Sequence, residues 1–195
     1  MTVRPGAWPD VLPQGPHRKL KLPGSSMPVS DFGCLLMCYV QACHDLEVDP
    51  TATPASIIAA TKDLVGADRV WFAGLPVQPQ LAKVLGLTAG ELVRSPPQPA
   101  QEMRRVLVEA LGVGLAVLWV DHDETRGGDF DGDHFVLGRR IDGDRIWYAD
   151  PATGEEGWLN LRTLSGVTVW QTSLGPVTKV YQVRSVRPLA HLPVR

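Results

Sequence analysis

An α+β fold is what this sequence predicts, with helices in its first half and an antiparallel sheet in its second. Three observations carry that expectation. The run from Cys34 to about His44 contains neither Gly nor Pro and is apolar nearly all round, as a buried central helix is. After Gly112 the texture changes to β-branched and aromatic runs broken by turn residues. Asp142-Gly143, between two such runs, is a short-range hairpin signal.

The elements follow in order. Residues 1–30 are rich in Pro, Gly and Ser and lack periodicity, which suits an irregular arm laid over the body. Asp31 or Ser30 stands where a cap for the Cys34 helix is wanted. Thr53-Pro54, a cap followed by proline in the first turn, opens a second helix carrying Ile57, Ile58, Ala60 and Leu64. Shorter helices are expected over 78–85 and 99–111, the latter with Met103, Val106, Leu107, Ala110 and Leu111 on one side. Strands are expected at 115–120, 134–140, 145–148, 167–171 and 177–186. In the hairpin, His134 begins one strand and Asp150 ends its antiparallel partner, so the two are expected as neighbours. The whole of 1–195 reads as one domain: arm 1–30, helical lobe 31–112, β lobe 113–195, with the site between the lobes.

Composition excludes several classes. With 19 basic against 21 acidic side chains and 44% hydrophobic residues, the chain lacks a nucleic-acid binder's basic excess and a disordered tail's polarity. Its longest apolar runs fall well short of the ~20 residues of a membrane span. Residues 1–22 hold no apolar core with a small-residue cleavage site, so synthesis in a cytoplasm without a signal peptide is expected. Three cysteines packed between 34 and 43 cannot form a disulfide framework and are expected reduced. Cys34 and Cys38 fall on adjacent turns of one helix face, a spacing that also admits a zinc reading, though no second ligand pair is present and core packing suits Cys38 and Cys43.

The order Cys34, His134, Asp150 is that of a cysteine nucleophile, its base and the group that orients the base. A thiol must ionise near neutral pH to attack. A helix start supplies free N–H groups and positive potential, and a nearby histidine takes the proton. Gly33 lets another backbone, such as a substrate's, come close. Asp150 on the neighbouring strand end is suited to hold one ring nitrogen while the other faces the thiol. The bland alternative is a buried helix cysteine beside an ordinary Asp-Pro turn.

Gly24-Ser25-Ser26 followed by Gly33-Cys34-Leu35-Leu36, then Val48-Asp49-Pro50 through Ile57, and above all His134-Phe135-Val136-Leu137-Gly138 followed by Trp147-Tyr148-Ala149-Asp150-Pro151-Ala152-Thr153-Gly154, span most of the chain. In these motifs the chain resembles the papain-like peptidases of the C39-like group, found in bacteria and their phages. The resemblance implies a papain-like fold, with a central Cys-bearing helix packed on the sheet. It implies Cys34 as nucleophile, His134 as general base and then acid, Asp150 as orienter, and Gln14, the one glutamine before Cys34, as donor to the oxyanion. Leu36-Met37-Cys38 stands where the group usually has small hydroxyl residues, and the tryptophan that often follows its glutamine is absent.

The expected chemistry is amide hydrolysis through a thioester acyl-enzyme, without metal or other cofactor. The resemblance implies a peptide cross-link or stem of peptidoglycan as substrate, cleaved by a phage lysin released at lysis or by a virion-borne enzyme. Acyl transfer to an amine uses the same intermediate. The alternative from another class is a catalytically silent papain-like module binding a peptide or protein, or a phage structural component with virion proteins as partners. Six carboxylates between Asp121 and Asp133 form an acidic stretch that reads as a solvated cleft rim, with calcium as the sharper alternative. If it lines the cleft, Asp133 favours a substrate amine by charge. Trp147, near Asp150, is the tryptophan best placed to meet substrate, with Trp158 next. His122 ranks below His134 as base, and His17, His44 and His191 lack a supporting constellation.

Overall fold

The structure is a computed structural model and describes residues 8–23, 25–64, 78–90, 93–94, 100–121, 133–160, 170–172, 175–177 and 179–188. A 3-10 turn at Gly15–His17 and a one-turn helix α1 (Val29–Phe32) lead into α2 (Cys34–Asp45). Then come α3 (Pro54–Thr61), α4 (Gln78–Val84) and α5 (Ala100–Val113). The strands are β1 (Leu87–Ala89), β2 (Val93–Arg94), β3 (Leu115–Asp121), β4 (Asp133–Asp142), β5 (Arg145–Asp150), β6 (Glu155–Asn160), β7 (Trp170–Thr172), β8 (Gly175–Val177) and β9 (Lys179–Pro188). The fold is α+β, with helices first and an antiparallel sheet after them.

Helix α2 is central because its side chains have nowhere polar to point: Leu35 through Cys43 are all buried. Its start differs from expectation. Neither Asp31 nor Ser30 caps it; Ser30 Oγ donates to Asp31 Oδ1 at 2.6 Å, and Gly33 is the N-cap residue with no side-chain bond. The turn α1 fills that place, since Gly33 N–H donates to the Val29 carbonyl at 2.9 Å. A side chain at Gly33 would put its Cβ 2.5 Å from both Val29 Cγ1 and the Val29 carbonyl oxygen. The glycine is thus required by Val29 of the chain itself. Helix α3 begins as expected, with Thr53 and Ser56 forming a reciprocal capping box and Pro54 in the first turn.

The main sheet runs β1-β9-β3-β4-β5-β6, with β2 also paired to β9 and every pairing antiparallel; β7 and β8 form a separate ribbon. Strands β1 and β2 lie inside the stretch the sequence assigns to helix, and at three and two residues they are too short to show alternation. Strand β6, Glu-Glu-Gly-Trp-Leu-Asn, is rich in residues depleted from strands, so its propensity hides it. Its Gly157 is crossed by the Tyr148 ring, whose hydroxyl oxygen would lie 2.2 Å from an added Cβ.

Strand β3 shows how the sheet divides its two faces. Leu115 and Val117 join Leu137, Ala149 and the α2 side chains in one core, while Ala116, Leu118 and Val120 join Val136, Ile146, Tyr148, Leu159 and α5 in another. The sheet is therefore covered by helix on both sides, a period-2 pattern with both phases apolar. The β4–β5 turn is Gly143-Asp144, one residue later than the Asp142-Gly143 expected, because Asp142 still pairs with Arg145. Gly143 takes φ 59°, the left-handed conformation such a turn needs at its first central position. Strand β4 also carries a bulge, since its register shifts between Gly138 and Arg140 and leaves Arg139 unpaired.

Candidate active site

Cys34 is the first residue of α2, His134 the second of β4 and Asp150 the last of β5. The structure brings all three together at the end of the β4–β5 pair. His134 and Asp150 are buried, and His134 Nε2 lies 2.7 Å from Asp150 Oδ1. A carboxylate only accepts, so Nε2 carries the hydrogen and Nδ1 is the nitrogen left for Cys34, to which the ring is also hydrogen-bonded. Asp150 is fixed in turn by its own loop. Its Oδ1 accepts the Ala152 N–H at 2.9 Å, and its carbonyl accepts the Gly154 N–H at 2.9 Å. Gly154 needs its positive φ of 75° there, and an added Cβ would touch Pro13 of the arm at 3.0 Å.

The electrostatics favour an ion pair. Burial pushes the Cys34 thiol up, but the hydrogen bond and charge of His134, with the N–H groups of Phe135 and Leu35, more than offset it and hold the thiol below its ordinary 9.0. Leu35 is the next residue of the helix start, so this is the free-N–H effect of a helix N-terminus acting on sulfur. Burial pushes the His134 imidazole down, yet hydrogen bonds to Asp150 and Cys34 raise it from 6.5 to about 9. Both shifts act in the direction that favours a thiolate beside an imidazolium. The other thiols go the opposite way. Burial drives Cys38 well above 9.0 and Cys43 up to about 12, and both lie in the core around α2.

Gln14 sits beside this group, 8% exposed. Its backbone N–H donates to the Pro151 carbonyl at 2.7 Å and its Nε2 to the Ser30 carbonyl at 2.9 Å. An amide nitrogen has two hydrogens, so one remains for another acceptor. Among the described residues, Gln14 Oε1 is buried without a partner.

Trp147 alternates with Asp150 along β5 and lies under the Arg140 guanidinium at 4.7 Å, paired across strands with Trp158, over which Arg145 stacks at 4.4 Å. The backbone of Asp133 pairs with Asp121; its side chain, the acidic stretch 122–132, His122, His191 and Trp71 lie outside the described residues. His44 Nε2 is 2.7 Å from the Ala52 carbonyl oxygen and is committed there. Among the described residues no group of three His, Cys, Asp or Glu side chains is arranged to hold a metal, and no helix is long and apolar enough to cross a membrane.

Sequence reasoning missed Arg139. It is buried, with its Nε and Nη2 on Asp45 Oδ2 and Oδ1 at 2.7 and 2.9 Å, its Nη1 on Glu156 Oε1 at 2.9 Å and its Nη2 on the Pro9 carbonyl at 2.9 Å. The signal for it was two consecutive arginines, Arg139-Arg140, interrupting the alternation of an otherwise apolar strand.

No family model matches the chain, and no curated protein matches it. Among solved structures it is similar to a crystal structure of the Pseudomonas avirulence protein AvrPphB, at 11% identity over 64% of this chain and 67% of that one, with a TM-score of 0.29. The chemistry of the site is read from the residues themselves.

Proposed function

We propose that the protein is a papain-like cysteine hydrolase cleaving an amide bond, with Cys34 as nucleophile, His134 as general base and acid, and Asp150 as the residue that orients His134. The observation that supports this is the continuous chain from Cys34 through the imidazole to the buried Asp150 carboxylate, on a helix start that depresses the thiol. The Cys34 thiolate attacks the carbonyl carbon, and the electron pair moves to oxygen. The His134 imidazolium gives its proton to the departing amine as the C–N bond breaks. Neutral His134 then takes a proton from water, hydroxide adds to the thioester, and Cys34 leaves as thiolate with the proton back on the imidazole. The Cys34 backbone N–H and the second Nε2 hydrogen of Gln14 are the donors for the oxyanion.

For the substrate, we propose the peptide stem or cross-link of peptidoglycan, on the strength of the C39-like motifs around Cys34, His134 and Asp150. A phage lysin or virion-borne enzyme is the matching context, with cytoplasmic synthesis before release. The test is pH-resolved iodoacetamide labelling mapped to Cys34, Cys38 and Cys43, followed by incubation with peptidoglycan fragments and analysis of released amines. Selective Cys34 labelling well below pH 7, abolished in His134→Ala, is expected. Labelling of Cys34 only in the ordinary thiol range, or no faster than Cys38, would turn the reading toward a peptide-binding module. An intact thiolate without wall cleavage would retain the hydrolase and discard the substrate.

A further inference from the structure

The bulge in β4 has a geometric effect on the catalytic pair. Counting from the turn, Asp142 pairs with Arg145, Ile141 with Ile146 and Arg140 with Trp147. Carried on without interruption, that ladder sets Asp150 opposite Leu137. Neighbouring residues of a strand point to opposite faces, so Asp150 would then point away from His134. The unpaired Arg139 changes the count: Gly138 pairs with Tyr148 and Leu137 with Ala149, which carries Asp150 to the position opposite Val136 and onto the side shared with His134. The same shift lets Val136 and Ile141, an odd number of residues apart, both pack in the α5-side core.

We propose that Arg139 is a positioning residue for His134 and Asp150: held in its bulge by Asp45, Glu156 and the Pro9 carbonyl, it selects the β4–β5 register in which the two catalytic side chains meet. This rests on the reading of Cys34, His134 and Asp150 as the catalytic group. The alternative register is penalised by the same side chain. In an uninterrupted ladder Arg139 would oppose Tyr148 and drive its guanidinium into the apolar core beneath α5, while Asp45, whose side chain is 0% exposed, would be left buried without its cation. In the bulge, both Arg139 and Arg140 lie toward the α2 side, where Arg139 forks onto Asp45 and lies 5.5 Å from the Trp8 ring.

The test uses the full chain in an Asp45→Asn background, so that no buried carboxylate is stranded, and reads the pH midpoint of Cys34 alkylation beside the His134 imidazole titration by NMR. Arg139→Met removes the anchor and should raise the Cys34 midpoint and lower that of His134, each by about one pH unit or more, in protein that remains folded by circular dichroism. Deleting Arg139 outright should leave both midpoints near those of the background, because an even ladder of one fewer residue again sets Asp150 opposite Val136. If Arg139→Met lowers the melting temperature yet leaves both midpoints in place, the role is structural only and the proposal is overturned. Arg139→Gln is read in the same way should the methionine variant not fold. Failure of the catalytic reading itself would show separately, as ordinary thiol behaviour of Cys34 in the unaltered protein.

Discussion

Replacing Asp150 by asparagine removes a charge while leaving an acceptor in place. Asp150 Oδ1 receives two donors, His134 Nε2–H at 2.7 Å and Ala152 N–H at 2.9 Å, and an amide oxygen can accept both. The turn after β5 should therefore persist and the protein should fold. The electrostatic effect is large because the two side chains are only 7% and 3% exposed. Burial by itself lowers the imidazole from 6.5, yet Asp150 and Cys34 raise it to about 9, roughly 3 kcal/mol in favour of the imidazolium. If Asp150 supplies about half of that, the asparagine variant loses about 1–2 kcal/mol and the His134 midpoint falls by about one pH unit. Cys34 then holds its thiolate less well, and its alkylation midpoint moves up in step. The assay is iodoacetamide labelling of Cys34 across pH, with NMR titration of His134 and thermal unfolding as the control for folding. Asp150→Ala should match the electrostatic change and add about 1–3 kcal/mol of destabilisation, because the Ala152 N–H loses its acceptor. An asparagine variant that is folded and titrates like the parent would refute the account of Asp150 as the electrostatic partner of His134.

Activity against any amide substrate should follow a bell in pH, falling on the alkaline side as His134 gives up its proton near pH 9 and on the acid side as Cys34 takes one up, measured as kcat/KM. Folding stability has a related signature. His134 contributes stability that is full below 6.5 and lost as pH rises through about 9, whereas the share of Cys34 is full above 9.0 and lost as pH falls through its depressed value. Between those limits the folded pair and the unfolded chain bind the same single proton, so the two opposite pH slopes cancel; Cys34→Ala should uncover a stability that falls with rising pH relative to the parent, seen in denaturant melts. Gly33→Ala places a methyl 2.5 Å from Val29 and should cost about 2–3 kcal/mol with slower Cys34 labelling, read by thermal unfolding and mass spectrometry. Thr53→Ala breaks the capping box of α3 and should cost about 1 kcal/mol, a melting shift of about 2–4 °C, without altering Cys34 labelling.

The site was legible in parts. Cys34 at a helix start, His134 at a strand start and Asp150 at a strand end are read from local texture, since an apolar run without Gly or Pro and β-branched runs between turns are signals within a few residues. The Asp133 side chain and the acidic stretch 122–132 before it lie outside the described residues, and Trp147 sits under Arg140 on the alternate face of its strand. The sequence assigns Gly33 to a substrate's approach, and in the structure the atoms nearest an added Cβ there belong to Val29. Gln14 is read from its place in the chain; its burial against Pro151 and Ser30 depends on how the arm lies across the body.

By itself the sequence determined the class of fold, the helix that carries Cys34, the cap at Thr53 and the hairpin that joins the His134 strand to the Asp150 strand. These depend on propensity, capping and turn chemistry, which act between residues close in the chain. Only the tertiary structure decided the register of that hairpin. A strand alternates with period 2, so a single bulged residue exchanges the faces of everything beyond it. Whether Arg139 bulges depends on Asp45, Glu156 and Pro9, partners up to 130 positions away, and no local signal carries that distance.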